Sequence, residues 1–158
     1  MCPVGAISFQ EDAEGFAYPY IDKAKCTNCG LCTKECPALN HAQTREISER
    51  LEAPVCYGGF INDDTIREKS SSGGVFTILS NYVLDKGGYV CGAKFFKGGT
   101  VEHVIVNNKD DLAPLRGSKY VQSHVNDCYR QIKELLNQDK YVLFTGTPCQ
   151  VAGLYQVL

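Results

Sequence analysis

The feature that most constrains the fold is a run of four closely spaced cysteines, Cys26, Cys29, Cys32 and Cys36, with Pro37 directly after the last. The spacing C-x2-C-x2-C-x3-C-P is typical of bacterial sequences that wrap a 4Fe–4S cluster. Zinc sites also use thiolates, but they favour paired cysteines separated by a longer loop. The run therefore predicts an iron–sulfur cluster, with zinc as the alternative.

A further cysteine followed by proline, Cys2, looks like the tail of a second such run. In two-cluster ferredoxins the fourth cysteine of each run ligates the cluster of the other run. On this pattern Cys26, Cys29 and Cys32 take Cys2 as their fourth ligand, and Cys36 is a ligand of a second cluster. The remaining ligands of that cluster would precede residue 1, so we expect a chain truncated at its amino-terminal end. The alternative is one cluster closed locally by the four cysteines of the run.

Composition limits the classes of partner. The 158 residues carry a net charge of −2, which gives no support to nucleic acid or an anionic membrane as a partner. No apolar stretch reaches the length of a membrane span. Nine cysteines are an odd number, and a metal pattern uses about half of them, so we expect thiols in a reducing cytoplasm rather than a disulfide scaffold.

The pattern of apolar residues divides the chain into two predicted domains. Residues 1–40 read as a small α+β, ferredoxin-like 4Fe–4S module with a hairpin of strands at 6–9 and 17–21. Residues 41–54 read as a linker or an exposed helix. From residue 55 to 158, strands and helices alternate, which predicts a partial α/β domain with a mixed or parallel sheet.

The second predicted domain contains both strands, with a two-residue period of apolar residues, and helices, with a 3.6-residue period. The predicted strands are 55–61, 89–96, 101–106 and 141–144, and the predicted helices are 74–84, 126–136 and one from about 149. The last helix reaches Leu158 without a stop signal, so we expect that the chain is also cut at its carboxyl end.

Three polar stretches of this domain are candidate ligand sites. Ser71, Ser72, Gly73 and Gly74 precede a helix, where free amides favour a phosphate, although a serine helix cap explains the same residues. Arg116, Ser118 and Lys119 place two cations in one short loop, which suits a phosphate or a polar heterocycle, but many such loops are simply solvated. Thr145, Gly146, Thr147, Cys149 and Gln150 follow a strand and open a helix, where α/β sheets bind ligands and where a thiol becomes more reactive; a tight turn is the alternative.

The other cysteines and the histidines suggest no site. Cys56, Cys91 and Cys128 have apolar neighbours and are predicted to lie in the core as small hydrophobic residues. His41, His103 and His124 have no partner pattern, and we expect them at the surface or in turns.

Several motifs together resemble the coenzyme F-420 hydrogenase/dehydrogenase beta-subunit family. They are Cys-Pro-x-Gly-Ala-Ile, Glu-Gly-Phe-x-Tyr-Pro, the cysteine run, Ser-Ser-Gly-Gly-Val-Phe, Leu-Arg-Gly-Ser-Lys-Tyr-Val-Gln-Ser and Phe-Thr-Gly-Thr-Pro-Cys-Gln-Val-Ala-Gly-Leu. The resemblance covers essentially the whole chain, although the family's first cysteine triplet is missing and the family's domain continues beyond residue 158. It implies an iron–sulfur flavoprotein oxidoreductase in which a two-cluster module is joined to a flavin-binding α/β domain.

By the same resemblance, the three polar stretches line an FAD site, and electrons pass between the cluster and the flavin. The partner would be a redox protein or a small redox coenzyme, while the terminal donor or acceptor and the oligomeric state stay open. Two further classes of function stand beside this one: a ferredoxin-like electron carrier without catalysis of its own, and a zinc-stabilised interaction domain.

Overall fold

The computed structural model describes residues 2–34, 36, 39 and 55–158. The contacts between residues divide the chain into two compact units, Met1–Arg50 and Leu51–Gln156. The predicted linker at 41–54 lies outside the described residues. Among those described, no helix has both the length and the apolar character that crossing a membrane requires.

The first unit is built on an antiparallel hairpin. Strand β1 spans Ile7–Glu11 and pairs with β2, Ala17–Ile21, and helix α1 spans Leu31–Lys34. The turn between the strands is fixed by Asp12, whose Oδ1 accepts hydrogen bonds from the amides of Glu14 and Phe16, both at 2.9 Å. An aspartate that bonds the backbone ahead of it is a common turn device. The predicted hairpin is confirmed.

The second unit contains a mixed sheet with helices on both faces. Its elements are α2 (Asp64–Glu68), α3 (Val75–Asp85), β3 (Tyr89–Phe95), β4 (Val101–Val106), a 3₁₀ helix (Asp110–Leu115), β5 (Ser123–His124), α4 (Cys128–Leu136), β6 (Val142–Phe144) and α5 (Pro148–Val157). The strand order is β5-β4-β3-β6. The β3–β4 pair is antiparallel, whereas β3–β6 and β4–β5 are parallel. The prediction of a ferredoxin-like module followed by a domain with a mixed sheet is confirmed.

Two apolar clusters form the core of the second unit, one on each face of the sheet. Because side chains alternate along a strand, the neighbouring residues Val90 and Cys91 point to opposite faces. One cluster consists of Leu84, Val90, Leu112 and Leu115, and the other of Cys91, Cys128, Ile132 and Leu154. Helix α3 and the 3₁₀ helix therefore cover one face, and α4 and α5 cover the other.

Three sequence predictions about this unit are wrong. Residues 55–61 are described and contain no strand; instead, the amide of Ile61 donates to the carbonyl of Gly73 at 2.7 Å. Cys56, expected in the core, is exposed because no strand places it there. His103, expected at the surface, is only 4% exposed because it lies in the central part of the sheet. The predicted burial of Cys91 and Cys128 is confirmed.

Candidate functional site

Four cysteines of the first unit line one pocket. They are Cys2, Cys26, Cys29 and Cys32. The wall between them is largely apolar and includes Pro3, Val4, Ile7, Ile21 and Leu31. Cys36, which is also described, does not line this pocket.

Two left-handed residues let the cysteine run curve around this pocket. Asn28 has φ 53° and Gly30 has φ 73°, a region that L-residues other than asparagine and aspartate rarely enter. The Cys26 thiol also lies 3.7 Å from Asn28 Oδ1. The chain thus turns twice between Cys26 and Leu31, where α1 begins, and the three cysteines face the same space.

Backbone amides surround the sulfur of Cys2. The Ala6 amide donates a hydrogen bond to Cys2 Sγ at 3.3 Å. The pKa of the Cys2 thiol is lowered, first by the Ala6 amide and next by that of Val4. Since the thiolate is the form that binds metal, these amides favour a ligating sulfur. Hydrogen bonds to cluster sulfurs also contribute to the reduction potential of a bound cluster.

This donor set fits a 4Fe–4S cluster. Four thiols border a shared space with an apolar wall, and soft thiolate ligands are the ones that such clusters take. Within the described residues, no three Cys, His, Asp or Glu side chains are close enough to bind one metal ion.

A cleft of about 220 Å³ lies in the second unit, between the loop before α3 and the turn after the 3₁₀ helix. Its lining residues are Ser70, Ser71, Ser72, Gly73, Gly74, Val75, Phe76, Arg116 and Gly117. The structure thus brings the first predicted polar stretch and Arg116 together. Ser118, which is exposed, and Lys119 do not line this cleft.

The start of α3 carries no side-chain cap. Gly74 is the residue before the helix, and no side-chain hydrogen bond caps the helix there. The alternative of a serine cap is therefore wrong; Ser70 Oγ instead donates to the carbonyl of Ile66 at 2.8 Å. Free amides at a helix start are suited to bind an anion.

The two glycines of this loop have a structural reason as well. A Cβ at Gly73 would lie 2.6 Å from the carbonyl oxygen of Gly59, and one at Gly74 would lie 2.7 Å from Ile61 Cγ2. Gly74 also has φ 79°, which favours glycine. Close packing against residues 59–61 thus requires both glycines, whether or not a ligand binds.

Arg116 is the cation of the cleft. Its Nε donates to Thr77 Oγ1 at 3.0 Å, and Thr77 is only 1% exposed. Among the described residues it forms no ion pair, so its charge is available to an anion in the cleft. Lys119 differs, because its ammonium bonds four backbone carbonyls of its own loop.

The third predicted stretch is bonded within the protein. The amide and hydroxyl of Thr145 both donate to the carbonyl of Cys91, at 3.0 and 3.2 Å. Gln150 Oε1 accepts from the Thr147 amide at 2.9 Å, and Gln150 Nε2 donates to Ser123 Oγ at 2.9 Å. A Cβ at Gly146 would lie 2.8 Å from the Phe144 ring. This stretch does not line the 220 Å³ cleft.

Cys149 is the one side chain of this stretch with a potentially reactive group at the surface. It is exposed, and its Sγ lies 3.1 Å from Thr147 Oγ1. It stands in the first turn of α5, as the sequence predicts for a thiol at a helix start.

A buried polar network around His103 was missed at the sequence level. The free thiols of Cys91 and Cys128 lie in one buried cluster, and the Cys128 thiol donates to the carbonyl of His103 at 3.3 Å. A hydrogen bond with the Cys128 side chain, and next burial, raise the pKa of the Cys91 thiol. The His103 ring bonds the Thr145 carbonyl through Nε2 at 3.0 Å and stacks on Phe144 at 5.4 Å. A signal for its burial was present in the sequence. His103 lies two residues from both Val101 and Ile105 and therefore on the same face of β4.

Comparison with known families assigns both parts of the chain. Residues 1–40 match the 4Fe-4S dicluster domain, and residues 56–129 match the amino-terminal domain of the coenzyme F-420 hydrogenase/dehydrogenase beta subunit. No curated protein matches the sequence. The first match makes iron–sulfur electron transfer the chemistry of the amino-terminal part. Together, the two matches support the resemblance of this chain to the coenzyme F-420 hydrogenase/dehydrogenase beta-subunit family, each over its own part of the sequence.

Proposed function

We propose that this chain transfers electrons between a 4Fe–4S cluster in its first unit and FAD in its second unit. The observation that carries the proposal is the pocket shared by Cys2, Cys26, Cys29 and Cys32, within a segment that matches the 4Fe-4S dicluster domain. These four cysteines are the proposed ligands of one cluster. Cys36, outside that pocket, is the proposed ligand of a second cluster.

The protein holds the two groups and sets their surroundings. When bound, the cluster exchanges single electrons, and the flavin links single-electron to two-electron transfer. The amide of Ala6 stabilises negative charge on the Cys2 sulfur. Apolar side chains line the pocket around the cysteines, and such surroundings are a second factor in the reduction potential.

The cleft of the second unit supports the flavin part of the proposal. A pocket that encloses a whole drug-sized ligand has about 300–1,000 Å³, so 220 Å³ suits only a part of FAD. Arg116 and the uncapped start of α3 both favour a phosphate group. We therefore assign the cleft to the diphosphate of FAD, with the flavin ring outside it.

The redox partner follows from the family. The matched description names a beta subunit of a coenzyme F-420 hydrogenase/dehydrogenase. For this chain we propose a redox protein or a small redox coenzyme of that kind as the donor or acceptor.

A second candidate function is an electron carrier that binds no flavin. It is favoured by the internal bonding of Lys119 and Gln150, since two of the predicted polar contacts to a flavin are already occupied within the protein. The iron–sulfur part of the function is the same in both proposals.

Anaerobic reconstitution with iron and sulfide, followed by incubation with FAD, separates these functions. We expect roughly four iron and four sulfide for the complete cluster, absorbance that bleaches on reduction, and retained FAD. Binding of zinc without iron would contradict the proposal of a 4Fe–4S cluster. An iron–sulfur protein that retains no FAD would favour the electron-carrier function.

The cleft is tested by competition. ADP, which carries the diphosphate, is expected to displace FAD, whereas riboflavin, which lacks it, is expected to bind weakly. Arg116→Met should weaken FAD binding, and the matched variant Arg130→Met, at an exposed position of α4, should not. If riboflavin bound as tightly as FAD and Arg116→Met had no effect, the assignment of the cleft to the diphosphate would be wrong.

A further inference from the structure

The ammonium of Lys119 is surrounded by four successive backbone carbonyls. Its Nζ lies 3.1 Å from the oxygen of Pro114, 2.9 Å from that of Leu115, 2.8 Å from that of Arg116 and 3.0 Å from that of Gly117. An ammonium has three N–H donors, so these four acceptors use its whole bonding capacity.

These carbonyls are ones that need a partner. They end the 3₁₀ helix and form the turn after it, and the last carbonyls of a helix have no partner within the helix. A cation at this end of a helix is also electrostatically favourable. Lys119 is partly buried, and burial lowers the pKa of its side chain, as expected for an ammonium that faces the protein.

The turn bound by Lys119 is the one that places Arg116 in the cleft. The carbonyl of Arg116 accepts the shortest of the four hydrogen bonds, while its guanidinium Nε donates to Thr77 on α3. Gly117, which also lines the cleft, has φ 78° and thus turns the chain sharply directly after Arg116. The turn is therefore held by two contacts, the Lys119 ammonium on its carbonyls and the Thr77 hydroxyl on the Arg116 guanidinium.

We propose that Lys119 is a positioning residue, which holds the turn at Arg116 and Gly117 so that the guanidinium lines the cleft, and that it does not touch the bound anion. This inference rests on the proposed function, because the anion is the diphosphate assigned to the cleft. It gives Lys119 a different role from the direct phosphate contact that the sequence predicts. Its effect on binding is to order a long side chain before the ligand arrives.

The first test needs no ligand. Hydrogen exchange of the full chain should show faster exchange at residues 112–119 in Lys119→Met, because the carbonyls lose their common partner. Lys119→Arg should behave in the same way, since a planar guanidinium cannot take the place of a compact ammonium among four converging carbonyls. Lys109→Met, which removes a charge from an exposed ion pair with Asp85, is the matched control and should leave the turn unchanged. Unchanged exchange in both Lys119 variants would overturn the inference.

The second test uses ADP as the probe. Both Lys119 variants should weaken ADP binding about 2- to 12-fold, the range for losing the order of one long side chain. The dependence of the Kd on salt should match wild type, because no phosphate contact is lost, whereas Arg116→Met should show a weaker salt dependence. Full affinity in Lys119→Arg, together with a weaker salt dependence in Lys119→Met, would show a direct contact and overturn the inference.

The two tests separate this inference from the proposed function. If wild type binds neither FAD nor ADP, the flavin proposal fails, and hydrogen exchange still decides the role of Lys119. If Lys119→Met does not fold, as judged by circular dichroism, Lys119→Arg carries both measurements.

Discussion

The two units of this chain differ in what holds them together. In the described part of the first unit, Ala6 is the one buried apolar residue, and the hairpin side chains Phe9 and Tyr18 are 70% and 59% exposed. The second unit has two apolar clusters on a four-stranded sheet, with Val90 and Cys91 fully buried. A small domain with little apolar core needs another source of stability, and metal binding supplies it in many such domains. We therefore expect loss of the metal to destabilise the first unit and loss of core packing to destabilise the second.

The largest expected effect is that of withholding iron. Without a cluster, the four thiols have no common partner, so we expect the amides of β1 and β2 to exchange rapidly, while those of β3 and β4 stay protected. Hydrogen exchange of the chain with and without reconstituted iron and sulfide measures both at once. A hairpin that stays protected without iron would show that the first unit is stable without a cluster.

Single cysteine substitutions identify which thiols bind the cluster of the first unit. Cys2→Ala is expected to lose the cluster, since it removes a ligand from the shared pocket, and Cys36→Ala is expected to retain it, since Cys36 does not line that pocket. Iron per chain and visible absorbance after anaerobic reconstitution give the result. The reverse outcome, with Cys36 essential and Cys2 dispensable, would replace crossed ligation by local closure of the run.

A cavity in the second unit tests the other side of the comparison. Ile132 is 1% exposed within an apolar cluster, so Ile132→Ala should lower the free energy of unfolding by about 2–5 kcal/mol. Leu136→Ala on the same helix is the control, because Leu136 is already 38% exposed and should cost much less. Denaturant unfolding followed by circular dichroism measures the change. Iron content should be the same in both variants, and a loss of iron in Ile132→Ala would mean that the units are not independent.

The smallest expected effect is a dependence on pH that belongs to the second unit alone. Burial lowers the pKa of His103, whose Nε2 donates to the Thr145 carbonyl and whose Nδ1 has no partner among the described residues. The folded state therefore binds fewer protons than the unfolded state, so stability falls as the pH drops below about 6.5, by at most about 1.4 kcal/mol per pH unit.

Unfolding curves between pH 7.5 and 5.5 test this. His103→Gln should flatten the dependence, whereas His124→Gln, at an exposed position, should leave it unchanged. Equal slopes in wild type and His103→Gln would assign the effect to another group.

Local sequence patterns predicted most of the elements. The hairpin, the strands at 89–95 and 101–106 and the helix at 75–85 all follow from alternation, helical spacing and glycine turns within a dozen residues. The segment 55–61, expected as a strand, is a run of apolar residues and glycines, but no strand in the described part of the chain pairs with it. Whether an extended segment joins a sheet depends on its partner, and local composition carries no such information.

The sites divide in a similar way. The spacing of Cys26, Cys29 and Cys32 is a local signal, and the structure places them on one pocket together with Cys2. The bond that decides the role of His103 is different, because it depends on which carbonyl the folded sheet brings near the ring. His103 and its partner Thr145 are 42 residues apart in the sequence. No spacing pattern predicts such a pair, since only the folded sheet brings it together.

The burial of Cys91 and Cys128 also has a practical consequence. These thiols are 0% and 4% exposed, whereas Cys56 and Cys149 in the same unit are exposed. An alkylating reagent labels the exposed thiols of the native chain directly, but it reaches the buried pair only after β3 and α4 separate. The rate at which mass spectrometry finds both buried positions modified therefore reports the opening of the second unit, without relying on any signal from an iron–sulfur cluster.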